Sequence, residues 1–344
     1  MRRSLLIGLS IVVSAVFLWL ALRDVPLADV GEIIQQADIV WVIISVLCVI
    51  GAQFTRAVRW YGLLNGRVST LRLFHIFNAA TFINQLPLRV GEIARVIMVN
   101  RSNVPVMTGA TSILIERLID VVSIIILLAI SLNTLPNAVP VATQSATLFG
   151  IVAVTGLVVL ILFARFPTFA HKIFDRLEAI LPFTKKLNLR QRLDEMIDGL
   201  KPLTQPRAAL HLFVWNIIAW AFSLATFYAL LRAFNLQTVL QSELDMWIAS
   251  AIGIPLVAFS VALPVSVAGL GPIQGAIRIA GEALGIEPTT AAALGIVFHV
   301  VTVGTYCLSG ALGLLVMGVS FSEVFQSATN RDAEESLSAP KTDE

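Results

Sequence analysis

Charge is what this chain has little of. Lys, Arg, Asp and Glu make up 13% of its 344 residues, against 57% hydrophobic residues, whereas soluble globular domains are typically about 25% charged. Together with a mean hydropathy of +0.85, this excludes an ordinary water-soluble fold and points to an all-α, polytopic membrane helix bundle. The two cysteines, Cys48 and Cys307, sit within apolar runs and offer no disulfide framework. Four histidines (His75, His171, His211 and His299) occur without an H-E-x-x-H or a Cys/His cluster, so neither a metal site nor another cofactor is expected. No G-x-x-x-x-G-K-[ST] loop is present, so any transport by this chain would be downhill, exchange-driven or ion-coupled.

What the chain has is long apolar runs. Spans are read at 4–22, 38–55, 113–135, 145–165, 208–233 and 289–318, each near the ~20 residues that a ~30 Å hydrocarbon core demands. The first follows Arg2 and Arg3 like a signal peptide, but no small-residue cleavage site follows it, so it reads as a retained helix. Two further regions do not fit: 73–99 is interrupted by Pro87 and Gly91, and 246–284 by Pro255, Pro264, Gly269, Gly271 and Pro272. Broken backbone at membrane depth survives only where protein or a wet cavity satisfies its polar groups.

Basic residues set the orientation. The connections at 56–72 (Arg56, Arg59, Arg67, Arg72) and 165–207 (nine Lys/Arg) are basic, while 133–145 and 233–245 have none, which places both termini and the 165–207 linker in the cytoplasm. Region 73–99 then enters and leaves from the cytoplasmic side, and 246–284 from the exterior side. Six spanning helices plus two re-entrant helical hairpins in inverted repeats are expected, with a site at the repeat interface. The organisation read is 1–165 and 208–318 as membrane halves, 166–207 as an amphipathic linker suited to an anionic leaflet or to packing under the bundle, and 319–344 as a largely disordered cytoplasmic tail.

The ionisable residues inside these apolar segments are the candidate site, because charge at membrane depth is costly and tends to be functional. Arg89, Arg95 and Arg117 can replace water around a phosphate with bidentate donors. Glu92 is three residues from both Arg89 and Arg95, while Glu116 and Arg117 precede Asp120 by four and three, helical-neighbour spacings at which the carboxylates can hold the arginines. The competing reading makes Arg89, Arg95 and Arg101 a positive-inside rim. Asn78, Thr81, Asn84 and Gln85 approach the first break as cavity lining or as ordinary interhelical partners. His299 shares a face with Thr302, Tyr306 and Ser309 as a structural residue or a proton carrier. Gly269 and Gly271 read as close packing at a helix break.

Leu86-Pro87-Leu88-Arg89-Val90-Gly91-Glu92-Ile93-Ala94-Arg95, then Ile115-Glu116-Arg117-Leu118-Ile119-Asp120, then Leu263-Pro264-Val265-Ser266-Val267-Ala268-Gly269-Leu270-Gly271-Pro272 resemble, in order and spacing, the signature of the lysylphosphatidylglycerol synthase transmembrane family. The resemblance runs from about residue 10 to 318 and departs from the pattern at Ala268, where glycine is usual, at Gln274, where an acidic residue is common, and at His299, where many relatives have arginine. It implies the flippase-like membrane domain of multiple-peptide-resistance proteins without the soluble aminoacyl-transferring domain, in a bacterial or archaeal cytoplasmic membrane. The implied substrate-binding set is Arg89, Glu92, Arg95, Glu116, Arg117, Asp120, Gly269, Gly271, Gln274 and His299, and the implied partner is a membrane lipid with an anionic or phosphate-bearing headgroup, not nucleic acid; a homo-oligomer is left open. No catalytic residue is expected. Two rivals stand beside it: a polyprenyl-lipid glycosyltransferase using Asp24, Asp29 and Glu32 of the first exterior loop, and a non-transporting partner of a lipid-synthesis complex.

Overall fold

Apolar runs in a membrane must satisfy their backbone groups internally, and the described residues of this chain do so with helices. The structure is a computed structural model that describes residues 2–87, 90–132, 140–180, 189–261 and 266–329; among them there is no strand. In chain order the helices are α1 (Arg2–Leu22), α2 (Leu27–Gln35), α3 (Ile39–Leu63), α4 (Thr70–Ile83), α5 (Gly91–Asn100), α6 (Val106–Leu132), α7 (Pro140–Arg165), α8 (Pro167–Ile180) and α9 (Leu189–Leu200). They continue with α10 (Pro206–Ala233), α11 (Gln237–Leu240), α12 (Glu243–Ser260), α13 (Pro272–Ala283), α14 (Pro288–Met317) and α15 (Phe321–Thr329).

Among the described residues, α3, α10, α12 and α14 are long and apolar enough to cross a membrane, and Gly8–Leu22 with Leu27–Gln35, bent by 82°, makes a fifth if the pair is one span. The chain is thus a multi-pass, all-helical membrane protein. Its span-length helices turn apolar stripes outward: Ile39, Ile43, Leu47, Ile50 and Phe54 on α3 are all exposed and recur every three or four residues, which is one helix face. Asp38 starts this helix by accepting the Val40 N–H at 2.8 Å, satisfying a donor that has no partner in the first turn.

Two expectations from sequence change here. Pro255 does not interrupt the second broken region; α12 runs through it and ends at Ser260. A proline removes one N–H without stopping a helix that its neighbours hold. Among the described residues the break is seen between the end of α12 and the start of α13, where Ala268, Gly269 and Gly271 take φ of 51°, 72° and 89°. Ala268 therefore occupies the left-handed region that a side chain disfavours, which explains why glycine suits that position. The second change is at the C-terminus: after a left-handed turn at Gly318 a further short helix, α15, covers Phe321–Thr329, and residues 330–344 of the expected tail lie outside the described residues.

The packing has a regular plan. Helices α3 and α10 run antiparallel down the middle: the Asp38 N–H donates to Ala233 O at one end, Ser45 Oγ donates to Thr226 O further along, and His211 Nε2 meets Val58 O near the other end. Against them, α4 lies beside α3 and α12 beside α10, while α4 packs across onto α14 and α12 across onto α6. The α4–α14 contact is backbone-close. A Cβ on Gly310 would stand 2.2 Å from Phe82 Cβ and 2.6 Å from Asn78 O, so only glycine admits that approach.

At the junction of α9 and α10, Asp198 accepts from Lys201 Nζ at 2.9 Å and from Arg67 Nη2 at 2.5 Å, tying the linker to the chain just after α3. Partial burial pushes the Asp198 carboxyl up, but the Lys201 and Arg67 hydrogen bonds outweigh it and hold it below its ordinary value. A depressed carboxylate stabilises the fold above its unfolded pKa, about 3.9, and that contribution fades as pH falls through the folded value. The gap in melting temperature between wild type and Asp198→Asn should therefore narrow as pH falls from 7 toward 3; a gap that stays constant would mean that the Asp198 charge contributes nothing to it.

Candidate functional site

The site is built on a ladder of buried charge between α3, α5 and α6. Arg59 and Glu116 are both 0% exposed, and an ion pair removed from water survives only if its lone pairs and protons are widely satisfied. Arg59 Nη2 donates to Glu116 Oε1 at 2.8 Å, while Arg59 Nη1 donates to Asp120 Oδ1 at 2.8 Å and to Asn216 Oδ1 on α10. The other Glu116 oxygen accepts from Arg95 Nη2 at 2.6 Å. One carboxylate thus holds two guanidiniums, one from α3 and one from α5. The Arg95 guanidinium also lies 3.8 Å from the centre of the Trp60 ring and 4.9 Å from that of Phe77, a desolvated cation–π arrangement of the strong kind. Trp60 is itself fixed by donating to Ser112 Oγ at 2.8 Å.

From this core the charges step outward. Arg117 is 52% exposed and donates to Glu92 Oε1 at 2.9 Å, and it lies 3.9 Å from Asp120 Oδ2. Glu92, at the first turn of α5, is also 3.9 Å from Arg95 Nη1, and a carboxylate there complements the helix N-terminus. Its position depends on Gly91, whose N–H donates to Asn84 Oδ1 at 2.8 Å. A Cβ on Gly91 would meet Ala80 O at 2.2 Å, so α5 begins pressed against the end of α4.

This ladder forms one wall of a cavity of about 610 Å³ between α3, α4, α5, α6, α10, α12, α13 and α14. The lining changes character along each helix. On α3 it runs from Val49 and Ala52 to Gln53 and Arg56; on α14, which is antiparallel to α4, it runs from Phe298 to Thr302 and Tyr306; α12 adds Ile254, Val257 and Ala258. The result is a polar end by the first break and an apolar end by the second. That is the shape of a site for an amphiphile, since cavities bind with mostly apolar walls and a few convergent polar groups.

Of the residues expected from sequence, Glu92, Arg95, Glu116, Arg117 and Asp120 come together in this ladder, and Glu92, Arg95, Arg117, Asp120 and Gly269 line the cavity. Arg89 lies outside the described residues. Gly271 and Gln274 do other work: Gln274 Oε1 accepts the Gly271 N–H at 2.8 Å, closing the start of α13, and Gly271 packs against α1, where a Cβ would stand 2.6 Å from Leu18 N. His299 is half-buried on α14 and is not among the lining residues. Asp29 and Glu32 of the exterior loop are exposed on α2, and Asp24 pairs with Arg23 at 3.0 Å. No group of three or more His, Cys, Asp or Glu able to hold a metal occurs among the described residues.

Sequence reasoning missed Arg59, Arg56 and Asn216. Both arginines were read as a basic connection after a span ending at residue 55, yet α3 continues to Leu63. The available signal was Gln53, Arg56 and Arg59 at three-residue spacing, one polar helix face continuing the apolar run.

Residues 6–310 match the family model described as the lysylphosphatidylglycerol synthase TM region. The chain belongs to that family. No curated protein and no solved structure matches it. Every lining residue of the cavity, from Val49 to Tyr306, falls inside the part that matches the lysylphosphatidylglycerol synthase TM region. As a member, the protein is an integral membrane protein related to lipid handling, and the buried Arg59–Glu116–Arg95 unit lies within the family's own region.

Proposed function

We propose that this protein translocates a lipid with a polar, phosphate-bearing headgroup between leaflets, without acting as an enzyme. The observation that carries the reading is the cavity: about 610 Å³, charged at one end, apolar at the other, and enclosed by both helix breaks. A headgroup leaving water needs fixed donors in place of its hydration, and acyl chains need an apolar wall or open lipid beside them.

In this reading six helices cross the membrane and the pairs α4/α5 and α12/α13 are re-entrant hairpins entering from opposite faces. The lengths support it for the first pair, since α4 has 14 residues and α5 has 10, about 21 Å and 15 Å at 1.5 Å per residue, short of a ~30 Å core; α12, with 18 residues, is long enough to cross by itself. The packing plan supports it too, because each pair leans on the long helix that follows the other pair, α4 on α14 and α12 on α6, as inverted repeats with a site at their interface would. Both termini are then cytoplasmic.

Movement of the headgroup would require the Glu92–Arg117 pair, the most exposed link of the ladder, to part while the buried Arg59–Glu116–Arg95 unit holds the helices. The test is a reconstitution of the pure protein into liposomes carrying a fluorescent phosphatidylglycerol in both leaflets. Addition of a membrane-impermeant quencher should bleach well beyond the outer-leaflet half; bleaching that stops at the protein-free plateau would refute lipid translocation.

A further inference from the structure

Arg56 stands apart from the other cavity arginines. Arg95 and Arg117 line the cavity with their carboxylates already engaged, Arg95 to Glu116 and Arg117 to Glu92. Arg56 lines the same cavity one helical turn from Arg59, and its only hydrogen bond among the described residues is to a neutral hydroxyl: Nη2 donates to Ser223 Oγ at 2.9 Å. No carboxylate lies within ion-pairing distance of it there. An arginine cannot shed its charge, so the wall carries three guanidiniums, Arg56, Arg95 and Arg117, against two carboxylates, Glu92 and Asp120. The fully buried Arg59 and Glu116 behind them cancel one another.

An uncompensated cation facing a membrane cavity is costly until a counter-charge arrives. One free donor stands at the same spot, while the Ser223 hydroxyl donates to Ala219 O at 3.0 Å and serves to hold Arg56. Ser223 lies one turn along α10 from Trp220, which lines the cavity, is 8% exposed and has an indole N–H without a partner. Gln53, one turn before Arg56, also lines it and is held by Ser309 at 3.2 Å.

We infer that Arg56, with Ser223 and Trp220, forms the phosphate subsite, and that the cavity therefore selects a phosphodiester lipid of one net negative charge over an aminoacylated one. The inference rests on the reading of the cavity as a lipid site. A phosphodiester monoanion brings the wall to neutrality, and guanidinium–phosphate contacts are bidentate and strong. A lysyl ester of the same lipid adds two ammonium groups and carries a net positive charge, which would leave the wall further from neutrality than when empty. The member is thus tuned to the unmodified lipid, not to the modified product its family's description names.

The test is equilibrium binding by native mass spectrometry of the full-length protein in detergent. Phosphatidylglycerol, lysylphosphatidylglycerol, phosphatidylcholine and glycerol 3-phosphate are titrated separately. Phosphatidylglycerol should bind at least tenfold more tightly than the lysyl form and than phosphatidylcholine, and glycerol 3-phosphate should show no retained adduct. Arg56→Gln should lose that preference, Arg56→Lys should keep part of it, and Ser223→Ala, which removes the hydroxyl that positions the guanidinium but not the charge, should weaken it less.

Equal or tighter binding of the lysyl lipid by wild type overturns the inference without use of any variant. So does an unchanged preference in a well-folded Arg56→Gln protein, and retention of glycerol 3-phosphate as tightly as the lipid would assign the subsite to a soluble phosphate. Selective binding without bleaching in the liposome assay would count against translocation alone, and bleaching without selectivity against the subsite alone.

Discussion

Glu116→Ala should be the most damaging single substitution in the chain. Glu116 accepts from Arg59 through one oxygen and from Arg95 through the other, with all three side chains within 1% of complete burial. Removing it leaves two desolvated guanidiniums, and breaking a buried ion pair by deleting one partner typically costs about 3–5 kcal/mol. At about 2–4 °C per kcal/mol for domains of 150–250 residues, melting of the detergent-solubilised protein should fall by on the order of 10 °C. Glu116→Gln keeps an acceptor for one arginine and turns an amide toward the other, so it should fall between wild type and Glu116→Ala. A Glu116→Ala protein that melts like wild type would show that water reaches Arg59 and Arg95, and the ladder would no longer count as a buried unit.

The second large effect is expected at Gly91. Its Cα presses on the end of α4, where an added Cβ would stand 2.2 Å from Ala80 O and 2.5 Å from Asn84 Cγ. Backbone cannot yield as a flexible side chain does, so overpacking there costs about 1–3 kcal/mol and pushes α5 away from α4. Glu92 and Arg95 travel with α5, which pulls them from Arg117 and Glu116. Gly91→Val should therefore lower lipid movement in liposomes at least tenfold, more than its stability loss alone accounts for. Gly304→Ala is the control, since a Cβ there meets nothing within 4 Å and movement should stay at the wild-type rate. Full movement by Gly91→Val would separate the start of α5 from the proposed translocation.

These two residues also mark how far the sequence could be read. Gly91, Glu92, Arg95, Glu116 and Asp120 stood out because charge and helix breakers are rare in apolar runs, and rarity is visible without any structure. Their pairing through Arg59 was not visible. Hydropathy ends a span at its first arginine, so Arg56 and Arg59 were assigned to a connection, although the helix carries them two more turns inside the bundle. Asn216 was equally hidden, since a single amide on an apolar helix carries no signal until Arg59 is placed opposite it. The second break was located correctly but one of its markers was not: Pro255 looks like the others in a window, and only packing from both sides shows that α12 absorbs it. The motif that supplied Gln274 marks a turn held by its own side chain instead of a wall of the cavity.

The exchange of supports between the halves bears on how the protein is made. As the chain emerges, α4 is inserted long before α14 exists, and the face that will receive Gly310 has only lipid against it. The wall that α14 supplies comes with the last long helix synthesised, so a chain stalled before residue 288 would lack Phe298, Thr302 and Tyr306 and leave the cavity open on that side.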